Sequence, residues 1–150
     1  MSDVEFRRAV AADLPAVVAM LADDALGTTR ESPDDLTPYE RAFPAIDADP
    51  NQNLVVLVRD KVVIGTLQLT LIPGLSRKGT MRAQIEGVRV HSGERGTGLG
   101  TELFEWAIEE SRKLGADLVQ LTSDVKRPDA HRFYGKLGFS PTHVGFKLDL

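Results

Sequence analysis

The chain contains no cysteine. That excludes a disulfide-stapled scaffold, a thiolate metal site and a cysteine nucleophile, and it leans weakly towards a reducing compartment. Histidine is scarce as well. The three present, His91, His131 and His143, are scattered without the spacing of metal ligands, so no metal is expected. No apolar stretch approaches the roughly 20 residues that cross a bilayer, and no membrane partner is expected. The opening run Met1-Ser2-Asp3-Val4-Glu5 has neither the basic start nor the apolar centre of a signal peptide, so the expected location is cytoplasmic. Positive charge is also lacking. A net charge of −4 argues against nucleic acid as the main partner, because phosphate binding demands a basic surface.

What is present fits one globular unit. With 150 residues, 42% hydrophobic and 27% charged, the chain has the size and balance of a single α/β domain over residues 1–150 with its own core. Its charge is uneven. Between residues 23 and 50, eight acids face two bases, Arg30 and Arg41, so that segment carries −6 and the remainder +2. Such a split suits a cationic acceptor on one side and an anionic cofactor on the other; a plain solvated segment accounts for it equally well.

Periodicity supplies the elements. Residues 4–8 alternate like a short strand. Asp13 stands where a helix N-cap would, with Pro15 in the first turn, and Leu14, Val17, Val18, Leu21 and Ala25 recur at helical spacing. A first helix is therefore expected to about Leu26, ended by Gly27. A loop over residues 28–35 leads to a shorter helix that begins near Thr37 and fades at Pro44. Residues 53–58 and 62–71, rich in Val, Leu and Ile and separated by Arg59-Asp60-Lys61, read as a hairpin. A polar connection over residues 75–80 precedes a strand over residues 82–90. Beyond a glycine-rich loop, Leu99, Leu103, Trp106, Ala107 and Leu114 mark the buried stripe of a long helix that Gly115 stops. A strand over residues 118–122, a helix over residues 130–137 and a last strand over residues 145–148 complete the chain.

The loop Arg95-Gly96-Thr97-Gly98-Leu99-Gly100 lies between a strand and a helix. Glycines let the backbone approach a ligand, and the free N–H groups of the helix's first turn form an anion site, with Arg95 at its mouth. A nucleotide P-loop would need Lys-Ser or Lys-Thr after the last glycine, and Thr101-Glu102 stands there instead. A dinucleotide fold wants glycines at the first, third and sixth places. Here they fall at the first, third and fifth, and too little chain follows Asp117 for a second nucleotide-binding half. The third reading is a cradle for the pyrophosphate of coenzyme A.

The passage from Gln84 through Ile-Glu-Gly-Val-Arg-Val-His-Ser-Gly-Glu-Arg-Gly-Thr-Gly-Leu to Gly100 closely resembles the acetyl-CoA motif of the GCN5-related N-acetyltransferases, with Arg95, Gly98 and Gly100 at its marked positions. Ala130-His-Arg-Phe-Tyr-Gly-Lys-Leu-Gly-Phe139 resembles the family's second cofactor motif. This resemblance covers nearly the whole chain and implies a central mixed, mostly antiparallel sheet of six or seven strands with helices on both faces. It implies acetyl-CoA as cofactor, held by main-chain groups of Val88, Arg89 and Val90. The loop residues Arg95, Gly96, Thr97, Gly98, Leu99, Gly100 and Thr101 would join them, together with Arg127, Phe133 and Tyr134. Arg127 occupies a place where relatives often carry asparagine, which puts the local cofactor contacts in doubt more than the fold.

Direct transfer of an acetyl group to an amine needs a rigidly held thioester, a polarised carbonyl, a neutral amine and a protonated leaving thiolate. Tyr134 matches the family's tyrosine proton donor, and a phenol with a pKa near 10 can protonate a departing thiolate. Packing of the last helix by Phe133 and Tyr134 is the alternative. Glu86 is the best candidate base, since an acid inside an apolar strand is costly unless exposed or functional. Four residues before Val90, it should share that residue's face of the strand; a simple exposed strand glutamate is the alternative. The acids Asp23, Asp24 and Glu31, in a region that shapes substrate choice in the family, are expected beside Glu86 around a positively charged small-molecule amine. His91 and His131 are weaker candidates for a base. A catalytically silent acyl-CoA-binding regulatory module and a protein N-acetyltransferase are the competing functions. Dimers are common in the family, and no interface is legible in the sequence.

Overall fold

Alternation along a strand sends successive side chains to opposite faces of its sheet, and that split decides where the helices of this chain lie. A computed structural model describes residues 3–150. The order is β1 (Val4–Arg8), a 3₁₀ turn (Ala11–Asp13), α1 (Leu14–Ala22), α2 (Gly27–Arg30), α3 (Thr37–Ala48), β2 (Gln52–Arg59) and β3 (Val62–Pro73). There follow α4 (Ser76–Gly79, one turn), β4 (Met81–Val90), a second 3₁₀ turn (Ser92–Glu94), α5 (Leu99–Lys113) and β5 (Leu118–Gln120). These lie in a unit that ends at Gln120; α6 (Pro128–Lys136) belongs to a second unit, Leu121–Leu150.

The sheet has five strands in the order β1-β2-β3-β4-β5. β1 to β4 pair antiparallel, and β5 runs parallel to β4. On one face, α5 buries Leu99, Leu103, Phe104 and Ala107. Gly65 lies beneath it. A Cβ there would stand 3.2 Å from Leu103 Cδ1 and 3.3 Å from Leu57 Cβ, so glycine is what lets the helix sit this close. Phe6 stacks on Trp106 on the same face, ring centroids 4.9 Å apart. On the other face Val56 and Val58 pack with Ala9 and with Val17 of α1, joined by Leu21, Leu54 and Val63. Helices thus cover both faces, as expected.

Several expectations need correction. The sheet has five strands, not six or seven. The strand predicted over residues 145–148 has no ladder, and its apolar members Phe146 and Leu148 are 93% and 85% exposed. Alternation proposes a strand, but only a partner edge makes one. β5 likewise stops at Gln120 rather than residue 122.

The first helix ends at Ala22, and Gly27 starts a helix instead of ending one. The cause is the Asp24 carboxylate, which accepts from the N–H groups of Leu26 and Gly27 and so opens a new turn inside the predicted loop. α3 runs through Pro44 to Ala48 instead of fading there, although an interior proline removes one N–H donor and crowds the preceding turn. The polar connection before β4 holds a turn in which Arg77 and Lys78 take left-handed conformations. The β2–β3 hairpin turns on Asp60 and Lys61, both at positive φ.

Asp13 is buried, but it does not cap α1 with its side chain. Its carboxylate takes two bonds from Arg7, at 2.7 and 3.0 Å, and one from the Val10 N–H at 2.8 Å. The Arg7 guanidinium holds the carboxyl below the usual carboxylate range, with the Val10 N–H helping and burial opposing. A depressed folded pKa contributes stability that is present above the unfolded value, near 3.9, and is lost as pH falls through the folded value. Asp13→Asn should therefore cost about 2 kcal/mol at pH 7, and its deficit against the parent should shrink below about pH 4. Urea unfolding at both pH values checks this; a deficit of equal size at both would refute it.

Candidate active site

The site is organised by an irregularity in β4. Gln68 pairs with Glu86 and Thr66 with Arg89, so between these pairs one residue of β3, Leu67, opposes two of β4, Gly87 and Val88, with Gly87 at φ 62 inside the bulge. Only glycine adopts that conformation without strain. The bulge resets the alternation. Glu86, just before it, and Arg89, just after it, both face α1, whereas Val90 pairs with Gly65 and faces α5. The expectation that Glu86 and Val90 share a face is therefore overturned. Glu86 is exposed, and among the described residues its carboxylate has no partner. β5 pairs only with Arg82–Gln84, which leaves the main chain from Glu86 to Val90, Val88 included, without a strand on that side.

The glycine loop follows directly. Gly96 and Gly98 have φ of 82 and 88, and a Cβ added to either would meet nothing within 4 Å. α5 starts at Leu99 with Gly98 as its N-cap, and the Glu102 N–H donates to Gly98 O at 3.1 Å. The N–H groups of Leu99, Gly100 and Thr101 precede that bond, so they are the donors a helix leaves unmatched. Thr97 Oγ1 donates to Glu94 O, and Glu94 pairs with Arg59 of β2 at 2.8 Å, which fastens the loop to the hairpin. An open glycine cradle that ends on unmatched N–H groups fits the pyrophosphate of coenzyme A.

The acids expected around the amine have other partners. Asp24 Oδ2 pairs with Arg89 Nη2 at 3.1 Å. Arg95 donates to Asp23 O at 2.8 Å and reaches its Oδ2 at 3.4 Å. Glu31 accepts from the Tyr39 hydroxyl at 2.8 Å. Arg89 also donates to Val88 O, and its buried Nε has no partner among the described residues.

In the second unit, α6 carries Phe133 and Tyr134, both half-buried, whose rings meet edge to face at 5.8 Å; Tyr134 meets Phe139 similarly at 6.3 Å. Arg127 is the exposed N-cap of α6. Arg132 of the same helix pairs with Asp129. Both candidate histidines have local tasks: His91 Nδ1 accepts from the Gly93 N–H, and His131 Nε2 lies 3.0 Å from Asp124 O.

The "Acetyltransferase (GNAT) family" model matches residues 17–139. The chain belongs to this family. It is 30% identical over 142 residues to the aminoalkylphosphonate N-acetyltransferase of Salmonella typhimurium, covering 95% of this chain and 88% of that protein. It is 36% identical over 88 residues to the glucosamine 6-phosphate N-acetyltransferase of Trypanosoma brucei brucei, covering 59% and 58%. The crystal structure of a transcriptional regulator from Bacillus halodurans C-125 superposes with a TM-score of 0.92 at 46% identity, over 98% of this chain and 99% of that one.

On this GNAT framework, sequence reasoning missed two features. One is the pair of arginines, Arg89 and Arg95, that hold Asp24 and Asp23; nothing local announces contacts between residues so distant in the chain. The other is a row of polar side chains on the α1 face. Gln52 pairs with Thr70, Thr70 with Gln84 and Gln84 with Gln120, directly opposite one another across four strands. The alternation of Gln68, Thr70, Gln84 and Glu86 with buried Leu69, Leu71, Ala83 and Ile85 was its visible signal.

The two aspartates should separate on substitution. Asp23 and Arg95 are each about half exposed, whereas Asp24 is shielded and also caps a helix. Asp24→Ala should lower stability by about 1–2 kcal/mol and Asp23→Ala by under about 0.5 kcal/mol. Thermal unfolding of the two variants tests this, and equal losses would contradict it.

Proposed function

We propose that this protein transfers an acetyl group from acetyl-CoA directly to the primary amine of a small molecule. The observation that carries the proposal is the bulge at Gly87. It presents an exposed Glu86, without a partner among the described residues, on a stretch of β4 with which β5 does not pair, immediately before an open glycine cradle. Bound acetyl-CoA supplies an acetyl group activated as a thioester, which an uncharged amine takes with release of the thiol. The chain's residues supply the rest. Gly96, Thr97, Gly98 and the N–H groups of Leu99, Gly100 and Thr101 bind the pyrophosphate, and main-chain groups of Val88, Arg89 and Val90 orient the arm. Glu86 removes the ammonium proton, directly or through water, so that nitrogen regains its lone pair. The Tyr134 hydroxyl gives its proton to the departing sulfur.

Support for a small-molecule acceptor comes from the two curated relatives, whose names specify an aminoalkylphosphonate and glucosamine 6-phosphate. A second reading, a catalytically silent acyl-CoA-binding module, is favoured by the name of the Bacillus halodurans structure. The presence of Glu86 and Tyr134 counts against such a module.

Acetyl-CoA should raise the melting temperature with concentration, while NAD and ATP should not. Thiol release should then follow on addition of an amine, and Tyr134→Phe should lower kcat roughly 100-fold with the acetyl-CoA shift intact. Binding without release from any amine would favour the silent module. A larger shift with NAD or ATP would end both readings.

A further inference from the structure

The polar row beside Glu86 has a direction. Arginine can only donate hydrogen bonds, so it fixes the amides that follow it. Arg82, on the α1 face two residues before Gln84, donates to Gln120 Oε1 at 3.4 Å. The Gln120 amide nitrogen must then point the other way, and it donates to Gln84 Oε1 at 3.0 Å. That commits the Gln84 oxygen, and its Nε2 hydrogens have no acceptor among the described residues. The same holds at the far end, where Gln52 Oε1 accepts from Gln68 Nε2 and Thr70 Oγ1, at 2.8 and 2.9 Å. The network consumes oxygens and leaves N–H groups over. No carboxylate among the described residues pairs with Arg82. A half-buried cation with no carboxylate partner, beside an amide whose N–H groups are unclaimed, forms a surface complementary to an oxyanion.

Position adds the second half. Arg82, Gln84 and Glu86 alternate along one strand, so all three share the α1 face, while the buried Ala83 and Ile85 between them face α5. Gln84 lies about 7 Å along the strand from Glu86. Meanwhile Asp23, Asp24 and Glu31 are occupied by Arg95, Arg89 and Tyr39. The acids that suggested a cationic acceptor are answered within the fold, whereas Arg82, on the same face of β4 as Glu86, has no carboxylate partner among the described residues.

We infer that Arg82 and Gln84, oriented by Gln120, form an oxyanion site for the acceptor. The acceptor class is therefore a small amine that also bears a phosphonate, phosphate or carboxylate a few bonds from its nitrogen. The inference rests on the acetyltransferase reading and narrows its substrate. Arg82 and Gln84 bind the acid group and Glu86 meets the ammonium end, so the substrate's two charges select the orientation in which its nitrogen can be deprotonated.

The test uses the full chain with acetyl-CoA and follows thiol release with 2-aminoethylphosphonate, ethanolamine and putrescine. The expected result is a kcat/KM for the phosphonate at least on the order of tenfold above the other two. Arg82→Met and Gln84→Leu should each raise the phosphonate KM by on the order of tenfold. The KM for acetyl-CoA and the turnover of ethanolamine should not change. Two variants are used so that a folding defect in one, seen by circular dichroism, does not leave the question open. Equal or better use of putrescine, or an equal loss on all three amines in both variants, would overturn the inference. Should no amine release thiol, the acetyltransferase reading itself fails, and calorimetric titration of the phosphonate still decides the site. Binding to the parent but not to Arg82→Met would support the site, and no binding to the parent would overturn it.

Discussion

One left-handed residue, Gly87, sets the geometry on which the rest of the site depends. A regular strand would have sent Glu86 and Val90 to one face and Arg89 to the other. The extra residue instead brings an acid and an arginine to the α1 face and turns Val90 under α5. It also lies past the point where β5 stops pairing with β4, so no strand among the described residues takes up the irregular main chain on that side. A main chain with free donors and acceptors is costly inside a protein unless a ligand or water meets them. The bulge, the open edge and the glycine loop are thus consecutive parts of one device.

Charge is distributed so that the fold answers most of its own acids. The segment that carries −6 in the sequence is next to β4 and its loop in space, where Arg89 and Arg95 meet Asp24 and Asp23. Arg89 is shielded, and Asp24 gives one carboxylate to an ion pair and two main-chain donors, so the end of α1 and the start of α2 are fixed relative to the bulge. The Arg95 pair is exposed and held loosely by comparison. An anion arriving at the glycine loop would compete with Asp23 for the Arg95 guanidinium.

Much of the architecture could be read from spacing because long amphipathic segments declare themselves. The stripe of Leu99, Leu103 and Ala107, the apolar hairpin and the glycine loop all fell where expected. Boundaries failed wherever a side chain made a local bond that periodicity does not register. Asp24 restarted a helix that Gly27 was expected to end, and α3 continued through Pro44. The strand at residues 145–148 failed for the opposite reason: its pattern is right, but pairing is not a local property. At the site, Glu86 stood out as a lone acid in an apolar strand, while the face it occupies turned on a bulge visible in the sequence only as one glycine. Alternation marked Gln84 only as a polar position of its strand, and Gln120 gave no signal, because a single glutamine in a strand is unremarkable until neighbouring strands align it with others.

Gly65 bears on how such a chain can drift over generations. Its missing side chain and the full length of Leu103 occupy one volume under α5, with Leu57 and the Arg89 carbonyl as the walls. Packing at that density leaves no room for a methyl group without some retreat of the helix. Two positions far apart in the chain are therefore a single heritable choice: enlargement at one is tolerated only with trimming at the other. Because the Arg89 carbonyl is one of the walls, an unmatched change would be passed on to the strand that holds the bulge.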